Sequence, residues 1–244
     1  MVFEPQAVDR KSWRIWFVEG LQLTARAPLA FTVLALVFAG IGYVPLIKGQ
    51  VFFVLAPLLI GGGCRLAAVT DTGKLKGRRL APNLLVTARL LVVGITPIAI
   101  LGVFALLLML GSNGPGTEPL PDLASVSMFE GGRQVLGVLT MLLWLTGVVT
   151  WTMVPLIAVA ELPLAEASDQ ALEAFELNRF LLGFTLAAGS VCMILNMLDA
   201  VVLAIPAFAV LSAMMYVSYR HIWLDKIKND ESTVPVTTAE QVAA

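Results

Sequence analysis

The sequence predicts an all-α membrane protein: a polytopic bundle of six transmembrane helices with amphipathic helices at the cytoplasmic surface. Hydrophobic residues make up 58% of the 244-residue chain and charged residues only 14%, whereas a soluble domain of this size needs more charge to cover its surface. The mean hydropathy is +0.87. The apolar residues are also concentrated in runs of about 20 residues or more, the length of helix that crosses a bilayer.

Six spans account for the apolar runs. The longest of the five apolar runs, 180–217, has 38 residues. As one helix it would be about 57 Å long, nearly twice the thickness of the hydrocarbon core of a bilayer. We therefore divide it at Asp199 into two spans, 180–198 and 200–217. The other four runs each fit one span: 29–47, 51–70, 90–111 and 135–160.

The lysines and arginines predict how the spans are oriented. With six spans and both termini in the cytoplasm, fourteen of the 16 basic residues lie inside and only Lys48 and Arg133 lie outside. If 180–217 crossed once, the distribution would be eleven against five. Because basic residues favour the cytoplasmic side of a membrane, we expect six spans in the cytoplasmic (inner) membrane. The flanking segments 1–28 and 218–244 are then cytoplasmic, and we expect disorder after about residue 229.

Asp199 is the one carboxylate within the long apolar run 180–217. Aspartate and asparagine bond to nearby backbone amides in turns, so Asp199 and Asn196 fit an outer turn between spans five and six. The alternative is a carboxylate embedded in the membrane, and such groups are candidates for function. The sequence leaves both interpretations open.

Spans one, three and five are each preceded by a segment in which a polar residue and an arginine lie close together. The segments are GLQLTARAPLAF, NLLVTARLLVVG and AFELNRFLLGFT. The pattern is typical of an internal triplication, but also of arginines at any cytoplasmic end of a membrane helix. The first of these segments follows Trp13, Trp16 and Phe17, which lie among charged residues, as expected for a helix that lies in the membrane surface.

The third segment is acidic. Glu166, Asp169, Glu173 and Glu176 share one helical face, which anionic lipid would repel. We therefore predict that 164–176 docks against the basic segment 74–89 or a basic partner, with Glu173 and Glu176 as candidate functional residues. The alternative is an acidic face that is simply solvated.

The sequence carries no recognisable catalytic or metal-binding motif. His221 is the single histidine, which rules out a paired-histidine haem site within one chain. There is no HExxH, GxSxG or P-loop pattern, so we expect neither enzymatic activity nor a metal or cofactor. The net charge of −1 gives no basic footprint for nucleic acid.

Other residues raise the possibility of transport. The glycines at 61–63 interrupt span two, as at some transporter binding sites, and Arg65 and Asp199 are candidate charges. Trp144 and Trp151 lie seven residues apart on one face of span four. Each feature also fits a structural role: glycines allow close helix packing, tryptophans contact lipid or helices, and Arg65 is within snorkelling reach of lipid phosphates.

Three stretches of the chain resemble an uncharacterised family of proteobacterial multi-pass inner-membrane proteins: GLQLTARAPLAF, ALEAFELNRFLLGF and YVSYRHIW. The resemblance covers most of the chain in layout but only these stretches in sequence. It implies a six-span helical protein of the bacterial inner membrane. Because the family has no assigned activity, it implies no catalytic or binding residue.

These observations predict a non-enzymatic accessory or scaffold protein that acts through its cytoplasmic interfacial helices. Its expected partners are the lipid bilayer and either another membrane protein or a second copy of itself. The alternative is a small-solute or lipid transporter that uses spans two and four and the five–six hairpin.

Overall fold

A computed structural model describes residues 4–43, 50–73, 82–112, 147, 150–197 and 201–224. Every regular element within these residues is helical. One helix, α5, is described at residues 150–158, and a short π-helix, Arg220–Leu224, directly follows the last α-helix. The other helices are α1 (Ser12–Arg26), α2 (Pro28–Tyr43), α3 (Gln50–Thr72), α4 (Leu84–Ser112), α6 (Leu164–Leu177), α7 (Phe180–Met197) and α8 (Val201–Tyr219).

Two of the three segments that precede predicted spans form separate helices. The chain bends by 101° between α1 and α2, at Ala27 (φ −135°, ψ 55°), because a proline at position 28 disfavours the helical conformation of the residue before it. A similar break at Asn178 (φ −123°, ψ 58°) separates α6 from α7. Both α1 and α6 are thus distinct helices ahead of apolar ones.

The second such segment does not form a helix of its own. The helix α4 begins at Leu84 and continues through the apolar run to Ser112. Its first turn is capped by Asn83, whose Oδ1 accepts a hydrogen bond from the Val86 amide at 2.7 Å. Residues 84–93 contain neither proline nor glycine, so nothing breaks the helix where the predicted span begins at residue 90.

The described helices pack around α3 and α8, and the helices next to α3 alternate in direction. The helix α8 lies parallel to α3, since Cys64 contacts Ser212 and Asp71 contacts Arg220. The helix α4 lies antiparallel to α3, and its Gly94 lies against Val54. The alternation is the one expected of consecutive helices joined by short connections.

Glycines bring α3, α4 and α8 close together. A Cβ on Gly63 would lie 2.5 Å from the Cβ of Ser212, and one on Gly94 would lie 2.8 Å from the Cα of Val54. Both distances are too short for any side chain, so these positions need glycine. The helix α3 continues unbroken through residues 61–63, in agreement with the packing interpretation of the glycine triplet.

One described helix is long and apolar enough to cross a membrane, Val54–Thr72. A second would be the strongly bent pair Ser12–Arg26 and Pro28–Gly40, if the pair forms a single span. The all-helical fold is therefore established for the described residues, while the six-span arrangement stays a prediction. The tail beyond residue 229 lies outside the described residues, as do residues 113–134 of the segment 112–134 that joins predicted spans three and four and that we expect to be the one sizeable outer loop.

Candidate functional site: two charged clusters at one end of the helices

The first charged cluster joins α1, α3 and α8. The guanidinium of Arg220 donates one hydrogen bond to Asp71 Oδ2 at 2.7 Å and another to Glu19. The hydroxyl of Tyr216 donates to the same Asp71 oxygen at 3.0 Å. We call this group the Arg220 cluster; its members are Glu19, Asp71, Tyr216, Arg220 and His221.

The Arg220 cluster is partly shielded from water. The side chains of Arg220 and Asp71 are 20% and 19% exposed, and that of Glu19 is 31% exposed. Burial lowers the pKa of Arg220, but its hydrogen bond to Asp71 and the charges of Asp71 and Glu19 together raise that pKa above its ordinary value. Arg220 therefore stays cationic and holds two carboxylates from different helices.

His221 extends the cluster toward the first helix. The indole N–H of Trp16, which is fully buried, donates to His221 Nδ1 at 3.1 Å. The other ring nitrogen, Nε2, lies 3.7 Å from Glu19 Oε2 and 3.4 Å from Arg220 Nη2. The Gln6 side chain donates to the backbone carbonyl of His221, so the segment around Gln6 is fixed to the π-helix.

A second cluster surrounds the end of α5. Arg65 is only 7% exposed; its Nε donates to the Ala158 carbonyl and its Nη2 to Glu161, each at 2.5 Å. Arg89 of α4 donates to the carbonyls of Glu161 and Leu162 at 2.8 and 2.9 Å. The last carbonyls of a helix lack helical donors; here Arg65 supplies a donor to the Ala158 carbonyl, while Arg89 binds two carbonyls of the loop that follows α5. We call these residues the Arg65 cluster.

The position of Arg65 corrects the snorkelling expectation. Its guanidinium points to the end of α5 and pairs with Glu161, the one described non-glycine residue with a positive φ, 60°. A buried arginine needs a partner because an unpaired buried charge is costly, and Glu161 together with the Ala158 carbonyl provides one. Arg65 thus connects α3 to α5 in the described structure.

Asn178, at the break between α6 and α7, is buried and connects three parts of the chain. Its Oδ1 accepts a hydrogen bond from the Val8 amide at 2.7 Å. Its Nδ2 donates to the carbonyls of Gln6 and Ala174 at 3.1 and 2.9 Å. The sequence pattern predicts Asn178 at the membrane surface but does not indicate that it fixes the N-terminal segment.

The structure places the remaining candidate residues separately. Trp151 is buried; its indole N–H donates to Ser218 Oγ at 3.1 Å, and its ring meets Phe184 edge-on at 4.9 Å, so it is a helix contact. Asn196 lies in α7, and its side chain is outside the described part. Asp199 and Trp144 lie outside the described residues altogether.

The acidic face of α6 is solvent-exposed. Glu173 and Glu176 are exposed and form no ion pair within the described ranges, while Ala167, Ala171 and Ala174 form the buried face of the helix. Arg89 contacts the backbone ahead of α6 rather than its carboxylates. Residues 74–81 of the basic segment 74–89, which is predicted to dock here, lie outside the described residues.

Beside the Arg220 cluster lies a small polar pocket with a volume of about 190 Å³. Its charged groups balance, since two carboxylates face two arginines. Among the described residues no three His, Cys, Asp or Glu side chains are grouped so as to hold a metal ion. The pocket is lined by Glu19, Gln22, Leu23, Arg26, Asp71 and Arg220.

Comparison of the chain with protein-family models, curated proteins and solved structures gives no match. Any assignment of function therefore depends on the geometry of the two clusters and on the surfaces of the helices. The Arg220 cluster pairs an arginine with two carboxylates, and the Arg65 cluster pairs an arginine with one; both clusters connect separate helices. Their direct effect is to hold the helix ends in register.

Proposed function

We propose that the chain is a six-span protein of the cytoplasmic membrane with both termini in the cytoplasm, and that it acts without catalysis as an accessory or scaffold component. The supporting observation is that described helices are apolar on both faces. In α2, Phe31 and Ala35 are buried. The opposite face is apolar as well, with four exposed residues: Leu29, Val33, Leu36 and Val37. A helix that is hydrophobic all round fits a bilayer far better than water.

The positions of the charges support the predicted orientation. The Arg220 cluster lies where α3 and α8 end, and the Arg65 cluster lies where α5 ends and α4 begins. The alternating helices thus bring their charged ends to one side. This is the side that the lysine and arginine distribution assigns to the cytoplasm. The resemblance to bacterial inner-membrane proteins agrees with this placement and stays a prediction.

The scaffold role is supported by the surface of α6. Leu172 and Leu177 are 54% and 48% exposed beside the exposed carboxylates of Glu173 and Glu176. An acidic helix face with apolar side chains at its edge is complementary to a basic, partly apolar surface on another protein. We infer that α6 contacts such a membrane-protein partner or a second copy of the chain.

A transporter of small solutes or lipids is the second candidate, and the polar pocket beside the Arg220 cluster is the observation that favours it. Against it, buried hydroxyls of the described apolar helices already donate to carbonyls of their own helix, as in Thr185, Ser212 and Ser218. Such hydroxyls have no further hydrogen to donate to a solute, and the Ser218 oxygen also accepts a hydrogen bond from Trp151.

A photo-crosslinking experiment tests the scaffold role. A photoreactive amino acid at Leu172 of the full chain, expressed in bacteria, should form an adduct with one reproducible protein. The adduct should disappear when Glu173→Lys and Glu176→Lys are added. The matched control places the same group at Val33, on the outward face of α2, where we expect lipid contact only. Absence of a protein adduct at 172, or an adduct that is insensitive to the charge reversal, would contradict the scaffold role.

A further inference from the structure

We propose that α1 is a preformed recognition surface for anionic phospholipid headgroups. This inference rests on the proposed membrane location and names the lipid class that the first interfacial helix selects. On this surface of α1, an apolar stripe inserts among the lipids, and cations beside the stripe contact the lipid phosphates. The stripe is Trp13, Phe17 and Leu21; the cations are Arg10, Lys11, Arg14 and Arg26.

The geometry of α1 separates a docked face from a free one. Trp16, Gly20 and Leu23 are buried against the rest of the protein. Trp13, Phe17 and Leu21 recur every four residues, which places them along one side of the helix. They are 41%, 45% and 45% exposed. Three large apolar side chains in one exposed row are what an interfacial helix inserts beneath the headgroups.

The charges around this stripe select the kind of lipid. Arg10, Lys11, Arg14 and Arg26 are all exposed, and within the described residues none of them forms an ion pair with a carboxylate. The guanidinium of Arg14 lies 5.5 Å from the ring centre of Trp13, at the edge of the stripe. Each lysine or arginine near an anionic membrane surface contributes about 1 kcal/mol of attraction.

Carboxylates near α1 do not cancel this attraction. Glu19 is paired with Arg220 inside the Arg220 cluster, and no other Asp or Glu lies within Ser12–Arg26. Asp9, just ahead of the helix, is exposed, but it is one negative charge beside four positive ones. The exposed surface of α1 is therefore cationic and apolar together. Zwitterionic headgroups gain little from such a surface, whereas phosphatidylglycerol and other anionic headgroups gain from every free cation.

The surface of α1 is fixed before lipid arrives. A Cβ on Gly20 would meet the Met214 side chain at 2.8 Å, so α1 lies in close contact with α8. Trp16 is hydrogen-bonded to His221. Many amphipathic segments fold only when they bind and lose affinity by ordering. The docked α1 avoids most of that cost.

The helix α6 provides an internal contrast. It also precedes an apolar helix, but its exposed face carries Glu173 and Glu176 among other carboxylates. Anionic headgroups would repel that face, so we infer that it points to water. Charge changes on α6 therefore form a matched control for charge changes on α1.

The test measures which lipid surrounds α1 in the full-length protein. Cys64 and Cys192 are replaced by serine, a bimane is attached to Leu21→Cys, and the protein is reconstituted in phosphatidylcholine vesicles. A small fraction of nitroxide-labelled lipid is added, either phosphatidylglycerol or phosphatidylcholine. The ratio of the two quenching constants gives the local enrichment of the anionic lipid. We expect an enrichment of about fivefold or more, since one cation alone contributes that factor.

Neutralising the four cations to glutamine should return the ratio to near one, while Glu173→Gln with Glu176→Gln should leave it unchanged. High salt should lower the ratio in the parent protein, because it screens exposed charges; this second measurement does not depend on how the variant folds. A ratio near one in the parent protein, or one unaffected by both salt and neutralisation, would overturn the proposal.

The same experiment separates this proposal from the membrane proposal. A second bimane at Val33→Cys, on the outward face of α2, should be quenched by either labelled lipid. Quenching at Val33→Cys with no lipid preference at Leu21→Cys would refute only the headgroup selection. Absence of quenching at both positions would refute the membrane location, and the lipid surface with it.

Discussion

Replacing Arg65 by methionine tests how the end of α5 is held. Methionine keeps much of the apolar stem of arginine and adapts to irregular space, so the main loss is the guanidinium. At least two hydrogen bonds disappear, among them one to the Ala158 carbonyl and one to Glu161. Hydrogen bonds from a charged donor are each worth about 1.5–3 kcal/mol.

The expected loss of stability depends on the exposure of each partner. The side chain of Arg65 is only 8% exposed, whereas that of Glu161 is 39% exposed. Because water can rehydrate Glu161 when Arg65 is replaced, we expect the ion pair to contribute near the lower end of that range of energies. Arg65→Met should therefore lower the free energy of unfolding by about 2–4 kcal/mol. For a chain of this size that corresponds to a fall in Tm of about 5–15 °C.

Thermal unfolding in mild detergent, followed by tryptophan fluorescence, measures this loss. Glu161→Gln is the matched variant: the amide oxygen still accepts a hydrogen bond, but the buried guanidinium loses its counter-charge, so we expect a cost of about 1–2 kcal/mol. Arg65→Lys should fall between the two, because an ammonium lacks the forked geometry that reaches both acceptors. If Arg65→Lys and Arg65→Met both unfolded at the same temperature as the parent protein, Arg65 would contact lipid instead, and the reasoning would be refuted.

Three further changes have defined outcomes. Gly63→Leu should lower the free energy of unfolding by at least about 1–3 kcal/mol, because the new side chain meets α8 at close range. Chemical denaturation measures this loss, and an unchanged stability would contradict the close packing of α3 against α8. Trp16→Phe should cost about 1–3 kcal/mol by leaving His221 Nδ1 without its donor, and the additional change His221→Phe should recover part of that loss in a double-mutant cycle. Glu173→Lys with Glu176→Lys should change stability by less than about 0.5 kcal/mol, as at exposed positions; a large loss of Tm would indicate an intramolecular contact that the described residues do not contain.

The positions of the helices could be predicted from hydropathy alone. The helices α2, α3, α4, α7 and α8 lie where the apolar runs predict helices, since run length and composition are local properties. The break before α2 was also predictable, because proline at position 28 acts on its immediate neighbour. The segment ahead of span three does not form a separate helix, since nothing in 84–93 interrupts α4.

The pairing of the charges could not be predicted in this way. Arg220 contacts Asp71 and Glu19, which lie 149 and 201 residues away, and neither acidic residue stood out in the sequence. Such pairs depend on how far neighbouring helices are shifted along their axes relative to one another, and hydropathy does not encode this shift. For the same reason the sequence predicts Arg65 near lipid phosphates, although its guanidinium lies at the end of α5.

The first helix shows where a stronger signal was available. Trp13 and Trp16 look equivalent as aromatic residues near a membrane, yet Trp13 is exposed and Trp16 is buried. Gly20 and Leu23 follow Trp16 at spacings of four and three, so the three residues share one side of a helix. A glycine on the same side as a large ring indicates a close helix contact and distinguishes the two tryptophans.

The central claim is a six-span protein with both termini and α6 in the cytoplasm, and thiol accessibility in intact cells tests it most directly. After Cys64 and Cys192 are replaced, Asp199→Cys, Lys48→Cys and Glu173→Cys are each treated with a membrane-impermeant thiol reagent. We expect rapid labelling at 199 and 48, and labelling at 173 only after the cells are opened. Labelling at 48 without labelling at 199 would contradict the outer turn and favour an embedded carboxylate and transport. Labelling at 173 in intact cells would contradict the proposed orientation of the whole bundle.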